Sequence, residues 1–284
     1  MNSPRPVATR TQVPCRFSVP ACTVRRLRAG AKMSTVRILL TSITCEKGAR
    51  DANLAGHVEL IEKAVRSGCD VVAFPEFSLT GSVDPTRRPD DAIALDDSVV
   101  GSLAAATKGR KVAAVFGIAE RDGDEFFITE VVARDGDVVG RQRKRHLGED
   151  EEAYTVSDNP ALVFETGEHR VGVIICAEAG VDHTWDATKA AGADIVLMCS
   201  APGLYGRRTN EAEWRAGFEW WDGHGLGDAR VNARRFGVWV GMATQAGATV
   251  DEDFPGIAAL VAPDGAVVDR LPDWRPGTIV GDLP

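Results

Sequence analysis

"VGVIICAEAG", residues 171–180, sets a single cysteine at the end of an apolar run. Valine and isoleucine favour a strand, and an unbroken apolar stretch of this length suits one covered on both faces. A thiol there has two readings. It is a small core side chain, since free cysteine is among the most buried residue types, or it is a reactive group mounted where a strand gives way to a loop. The stretch alone leaves both open, and its surroundings decide.

Downstream, a helical segment ends near Gly192 and "ADIVLMCSAPG" (193–203) and "FGVWVGMATQAG" (236–247) read as further buried strands. Upstream, "VRILLTSI" (36–43), "CDVVAFPEF" (69–77) and "VAAVFGIAE" (112–120) have the same character. Between the first two, "NLAGHVELIEKAVRSG" (53–68) places Leu54, Val58, Ile61 and Val65 at helical spacing, with Gly68 as the stop. "FFITEVVARDGDVVGRQRK" (126–144) and "AALVAPDGAVVDRL" (258–271) read as hairpins turning at Asp135–Gly136 and Asp264–Gly265. Helical crossovers imply parallel strand pairs and Asp-Gly turns antiparallel ones, so the class is α/β with mixed connectivity. No repeat or Ser/Gly-rich linker interrupts the pattern, and one domain is expected over 34–284. The segment 204–228 differs. It holds Trp214, Trp220, Trp221 and a glycine cluster, and reads as a long loop or short helix. Its tryptophans either line a substrate mouth or staple a helix or subunit interface.

Composition narrows the function classes. Of 284 residues, 44% are hydrophobic and 26% charged, as in soluble globular proteins, and no apolar run approaches the roughly 18 residues of a membrane span. A net charge of −8 argues against a general nucleic-acid binder, which needs clustered lysine and arginine. Residues 1–33 carry seven basic and no acidic residues. They read either as an organelle transit leader or as an over-long start, with "MSTVRILL" at Met33 the natural beginning. Both readings exclude the segment from the fold and leave it disordered. The six cysteines show no CxxC pair and no zinc-ligand spacing with the five histidines. No metal or cofactor is therefore expected, and a reduced, cytoplasmic protein is. "DGHGLGD" (222–228) lacks the preceding strand and spacing of a dinucleotide loop.

Three polar residues end apolar strands. Glu76 follows "VVAFP", Lys144 closes "DVVGRQRK" and Cys176 closes "RVGVIIC". Singly, each suits an ordinary solvated or core position. Together they form a coherent set, because a thiol with an ordinary pKa near 8.5 is a poor nucleophile at neutral pH. A carboxylate base and a neighbouring ammonium would activate it, and the ammonium would then hold the oxyanion formed when sulfur attacks a carbonyl.

"FPEFSLTG" (74–81), "RKRHL" (143–147) and "GVIICAE" (172–178) resemble the three signature segments of the nitrilase superfamily, the carbon–nitrogen hydrolases, in their order. The likeness extends to "AGADIVLMCSAP" (191–202) and "PGIAALVAPDGAVVDRL" (255–271), and so covers about residues 35–283. The resemblance implies a four-layer αββα sandwich, commonly assembled as a homodimer or larger homo-oligomer. It also implies catalytic roles for Glu76, Lys144 and Cys176. A second glutamate is implied between the lysine and the cysteine, and in "GEDEEAY" Glu152 matches best, with Glu151 the alternative. Ala177, Ser200 and Ala201 are implied at the oxyanion and substrate positions. Ala177 stands where nitrile-cleaving members tend to have tryptophan, which favours a small-molecule amide or N-carbamoyl substrate. Nitrile hydrolysis and soluble thioester-mediated acyl transfer are the alternatives, and a binding protein that keeps the fold without turnover is a third. Arg235, Phe236 and Thr244 stand where relatives often carry Glu, Asn and Asn, so an altered pocket floor or subunit contact is expected. Cys199 either approaches the pocket or packs in the core.

Overall fold

Thirteen strands and five α-helices make up residues 35–284, the part of the chain that this computed structural model describes. The expectation of a disordered leader over 1–33 lies outside the described residues. The strands are β1 (Val36–Ile43), β2 (Val71–Ala73), β3 (Ala113–Asp122), β4 (Glu125–Arg134), β5 (Asp137–Arg143), β6 (Val163–Thr166), β7 (His169–Ile175), β8 (Ile195–Ser200), β9 (Trp239–Ala248), β10 (Asp253–Pro255), β11 (Ala259–Val261), β12 (Val267–Arg270) and β13 (Gly277–Leu283). The helices are α1 (Arg50–Arg66), α2 (Ser98–Ala105), α3 (Asp182–Ala190), α4 (Glu211–Trp221) and α5 (Gly227–Phe236).

The ladder runs β5-β4-β3-β2-β1-β9-β8-β7-β6, and β13 lies antiparallel along β1. Beta1 and β9 meet only at Ser42–Thr244 and Ile43–Gln245, so the ladder folds there into two facing sheets. Alternation along the strands shows the layers. Ile38, Leu40, Val71 and Ala73 of one sheet share a core with Val171, Val173, Ile175, Ile195 and Leu197 of the other. Leu39, Val72 and Phe74 face the opposite way, toward Ile61 of α1 and Leu103 of α2. On the far side, Ile174, Val196 and Met198 pack on Trp185 of α3, Phe218 of α4 and Ala229 of α5. The order is helices, sheet, sheet, helices: the expected αββα sandwich.

Strands β1, β2 and β3 are mutually parallel, as are β7, β8 and β9, and β1 and β9 run parallel where they touch. Beta5 is antiparallel to β4, which is antiparallel to β3, so β5 points the same way as these strands. The carboxyl ends of β2, β5, β7 and β8 therefore open on one edge, where ligand sites of α/β sheets form.

Two elements differ from the sequence reading. Helix α1 buries Asn53, His57, Ile61 and Ala64, while Val65 is 39% exposed. The segment 204–228 is helical for most of its length: α4 passes through a π-turn (Asp222–Leu226) directly into α5.

Candidate active site

Cys176 begins a short 3-10 turn (Cys176–Gly180) at the end of β7, with φ of 42°. A non-glycine residue in the left-handed region costs on the order of 1–3 kcal/mol and persists only where its surroundings impose it. Two such constraints are visible. Ile175 pairs with Cys199 of β8, and the buried Glu178 carboxylate accepts the Ile175 N–H (2.9 Å) across the turn. Glu178 also accepts the Arg145 backbone N–H (2.6 Å) and its guanidinium Nε (3.0 Å). One carboxylate thus ties the cysteine turn to the segment that carries Lys144.

Glu76 sits in the turn after β2, followed by Phe77 at φ 57°. This turn lies directly against β3: a Cβ on Gly117 would come within 2.2 Å of the Phe77 nitrogen and 2.7 Å of the Glu76 carbonyl carbon. Only glycine allows the approach. The Ser78 hydroxyl accepts the Gly117 N–H (3.0 Å) and lies 2.9 Å from His57 Nε2, while His57 Nδ1 lies 2.7 Å from the Asn53 carbonyl. Burial pushes the His57 pKa down to about 4. The neutral ring then donates from Nδ1 to the carbonyl and accepts the Ser78 proton at Nε2. The Gln245 side-chain amide donates to the Glu76 carbonyl oxygen (3.0 Å).

These turns bring the expected polar groups together. Lys144 Nζ donates to Glu76 Oε1 (2.7 Å) and to Glu151 Oε1 (2.6 Å), with the lysine fully buried. The Ala201 N–H donates to Glu76 Oε2 (2.9 Å) and also pulls the Cys176 thiol pKa down. Cys176 is part-exposed at a cavity of about 530 Å³, whose lining also includes Glu76, Glu151, Ala177 and Ala201. Burial raises the Glu76 pKa to about 7, against the opposing pull of the Lys144 ammonium. Burial and the Glu76 charge push the Cys176 thiol up, and Lys144 pulls it down. Burial alone would lower the Lys144 pKa, but Glu76, the cysteine and Glu151 together outweigh it and keep the lysine charged.

Several expectations need adjusting. The glutamate at the lysine is Glu151, fixed by the Gly148 N–H (2.6 Å), whereas Glu152 is exposed and lines a separate shallow pocket. The turn over 148–151 points the first of these side chains inward, and the next one out. Ala201 lines the cavity, and its N–H donates to Glu76. Ser200 is fully buried outside the cavity lining, and its hydroxyl has no partner among the described residues. Arg235 pairs with Asp182, Phe236 stacks on Trp185, and Thr244 bonds Ile257, so none of the three lines the cavity. Cys199 is buried core. The tryptophans divide: Trp214 stacks on Trp274 at 6.2 Å, while Trp220 and Trp221 line the cavity. Among the described residues, no group of three His, Cys, Asp or Glu side chains could hold a metal ion, and no helix is long and apolar enough to cross a membrane.

Comparison with known proteins agrees with this architecture. The chain is similar to an aliphatic nitrilase of Rhodococcus rhodochrous (30% identity, covering 52% of this chain and 44% of the nitrilase). It is also similar to an (R)-stereoselective amidase of a Pseudomonas species (29% identity, 45% of this chain and 47% of the amidase). The chain thus spans about half the length of the curated relatives it matches. Among solved structures, a mutant amidase from Nesterenkonia sp. AN1 superposes with a TM-score of 0.75 at 22% identity, covering 88% of this chain and 90% of that one. The model of the carbon–nitrogen hydrolase family matches residues 39–284, nearly all of the described fold, and the chain belongs to that family.

Proposed function

We propose that this chain hydrolyses the C–N bond of small amides or N-carbamoyl compounds, with Cys176 as nucleophile, Glu76 as general base and acid, and Lys144 as the cation beside the reacting carbon. One observation carries the reading: a fully buried lysine shared by two carboxylates, beside a part-exposed cysteine in a strained turn at a cavity. In a mutant of the Nesterenkonia amidase, the acetamide moiety of fluoroacetamide is added covalently at the active-site cysteine. That supports by likeness the role given to Cys176.

The electrostatics set the order of events. The thiol pKa is raised, so no standing thiolate is available, and the proton must leave as sulfur attacks. Glu76 takes the proton. The S–C bond forms, the carbonyl π pair moves onto oxygen, and Lys144 and the Ala177 N–H stabilise that oxyanion. Collapse breaks the C–N bond, and the leaving nitrogen receives the proton from Glu76, giving a thioester and ammonia or an amine. Glu76 then takes a proton from water as it attacks, and as the C–S bond breaks Glu76 returns that proton to sulfur, releasing the acid and restoring the thiol. A carboxyl group with a pKa near 7 suits both directions of transfer.

Wild type should release ammonia from some member of a panel of primary amides, N-carbamoyl amines and nitriles. Cys176→Ala should release none while retaining the wild-type circular dichroism and unfolding midpoint. Unchanged hydrolysis by that variant would falsify the assignment. The likeness to the Rhodococcus nitrilase favours nitriles as the second reading, and turnover confined to the nitriles in the panel would establish it.

A further inference from the structure

We propose that the mouth of the Cys176 cavity is a subsite for an alkylammonium group, so that this chain prefers amides bearing a cationic chain over neutral ones and rejects those bearing a carboxylate. The proposal rests on the hydrolase reading above and names the substrate class of the same cavity.

Charge is the first observation. Asp84, Glu149, Asp150 and Asp228 line the cavity, in addition to Glu76 and Glu151, and no lysine or arginine does. The site lysine does not offset them, because Glu76 and Glu151 already flank it. Asp84 has a partner in Arg87 (3.2 Å). Glu149, Asp150 and Asp228 form no ion pair among the described residues, and His224 is the one basic side chain in the lining. Asp228 is part-buried, and a Cβ on Gly180, at the end of the cysteine turn, would lie 3.8 Å from its Oδ2. Burial raises its pKa, against the opposing pull of the neighbouring His224.

The walls supply a second, independent observation. Trp220, Trp221 and Tyr205 line the same cavity, and electron-rich ring faces beside carboxylates suit an ammonium ion. Trp221 is only 7% exposed. The ring is fixed in place: a Cβ on Gly225 would fall 2.5 Å from it, so the π-turn needs glycine there. That π-turn carries the chain from Trp221 to Asp228, and such turns recur at functional sites. A substrate carboxylate would meet like charge from several directions, which is discrimination by repulsion as well as by fit.

The test compares 5-aminopentanamide, hexanamide and adipic acid monoamide, which differ mainly in terminal charge. For wild type, kcat/KM should be at least about 10-fold higher for the cation than for hexanamide, and lowest for the anion. Raising salt to about 0.5 M should shrink the cation preference, because the mouth is open to solvent. Asp150→Asn and Asp228→Asn should each move the ratio toward one. In parallel, calorimetric titration of Cys176→Ala with the same three compounds reads selectivity without turnover. Turnover without the charge order, or with it reversed, overturns the subsite and leaves the hydrolase reading standing. Absence of turnover with binding still in the charge order supports the subsite, and the wider panel above then decides the hydrolase reading. Absence of both overturns the subsite.

Discussion

Glu151 and Glu152 are chain neighbours in different surroundings. Glu151 accepts from Lys144 Nζ and from the Gly148 N–H, whereas Glu152 is exposed. Glu151→Gln removes a charge that holds the lysine and that raises the Glu76 pKa through space. We expect kcat/KM to fall on the order of 100-fold, as for loss of a group acting in proton transfer. Glu152→Gln should stay within about 2-fold of wild type, the usual scale of an exposed polar change. Equal losses in the two variants would refute this placement. The family resemblance implied that one member of the acidic run would be inward, but the choice between adjacent positions depends on how the turn closes. The pH dependence follows from Glu76. It must be ionised to accept the thiol proton, so kcat/KM should rise with pH through about 7, the value to which burial lifts it. Because Glu151 contributes to that lift, the limb should move to lower pH in Glu151→Gln. A wild-type profile flat from about pH 5 to 9 would mean that another group is the base.

Elements explain which parts of the site were legible. Apolar runs and Asp-Gly turns located β7, β8 and both hairpins, and hence the strand ends that carry Lys144 and Cys176. The face of α1 was misread because its buried stripe includes two polar residues. Asn53 and His57 are inward because they have partners: Asn53 Nδ2 donates to the Leu79 carbonyl (3.1 Å), and His57 contacts Ser78. Counting apolar residues at helical spacing cannot detect a polar side chain whose partner lies 20 or more residues away. The same limit hid Glu178, whose distant partner is Arg145. These contacts make α1 a support for the Glu76 turn. In Ser78→Ala, the Gly117 N–H and His57 Nε2 both lose their partner in a buried setting. Chemical denaturation should show a loss of about 1–3 kcal/mol for such unsatisfied groups, and kcat should fall with it as the base loses its fixed turn. Wild-type stability would show that water or a shifted neighbour replaces the hydroxyl.

Across the whole sandwich, one buried group between the two sheets has no part in the proposed chemistry. Glu130 lies on β4 between Ile128 and Val132, which face the inter-sheet core. It is fully buried, and neither carboxyl oxygen meets a hydrogen-bond donor at bonding geometry, although the Cys199 thiol across the sheets acts on it. Burial and then the Glu76 charge raise its pKa well above the ordinary 4.5, so the folded protein keeps this carboxyl protonated where the unfolded chain ionises it. The folded state then binds more protons, and stability must fall as pH rises from about 4.5 toward the folded value. While the two states differ by one full proton, the slope is about 1.4 kcal/mol per pH unit. Glu130→Gln has nearly the same shape and nothing to titrate. Its stability relative to wild type should therefore improve steadily with pH across that window, whatever the constant offset between amide and acid. Urea denaturation of both proteins at about pH 5, 6, 7 and 8 reads this directly, since the slope belongs to the proton and not to packing. A difference that does not change with pH would mean that Glu130 is ionised within the fold. In that case the space between the sheets holds a charge for which the described residues supply no partner, and the wedge between them must admit water.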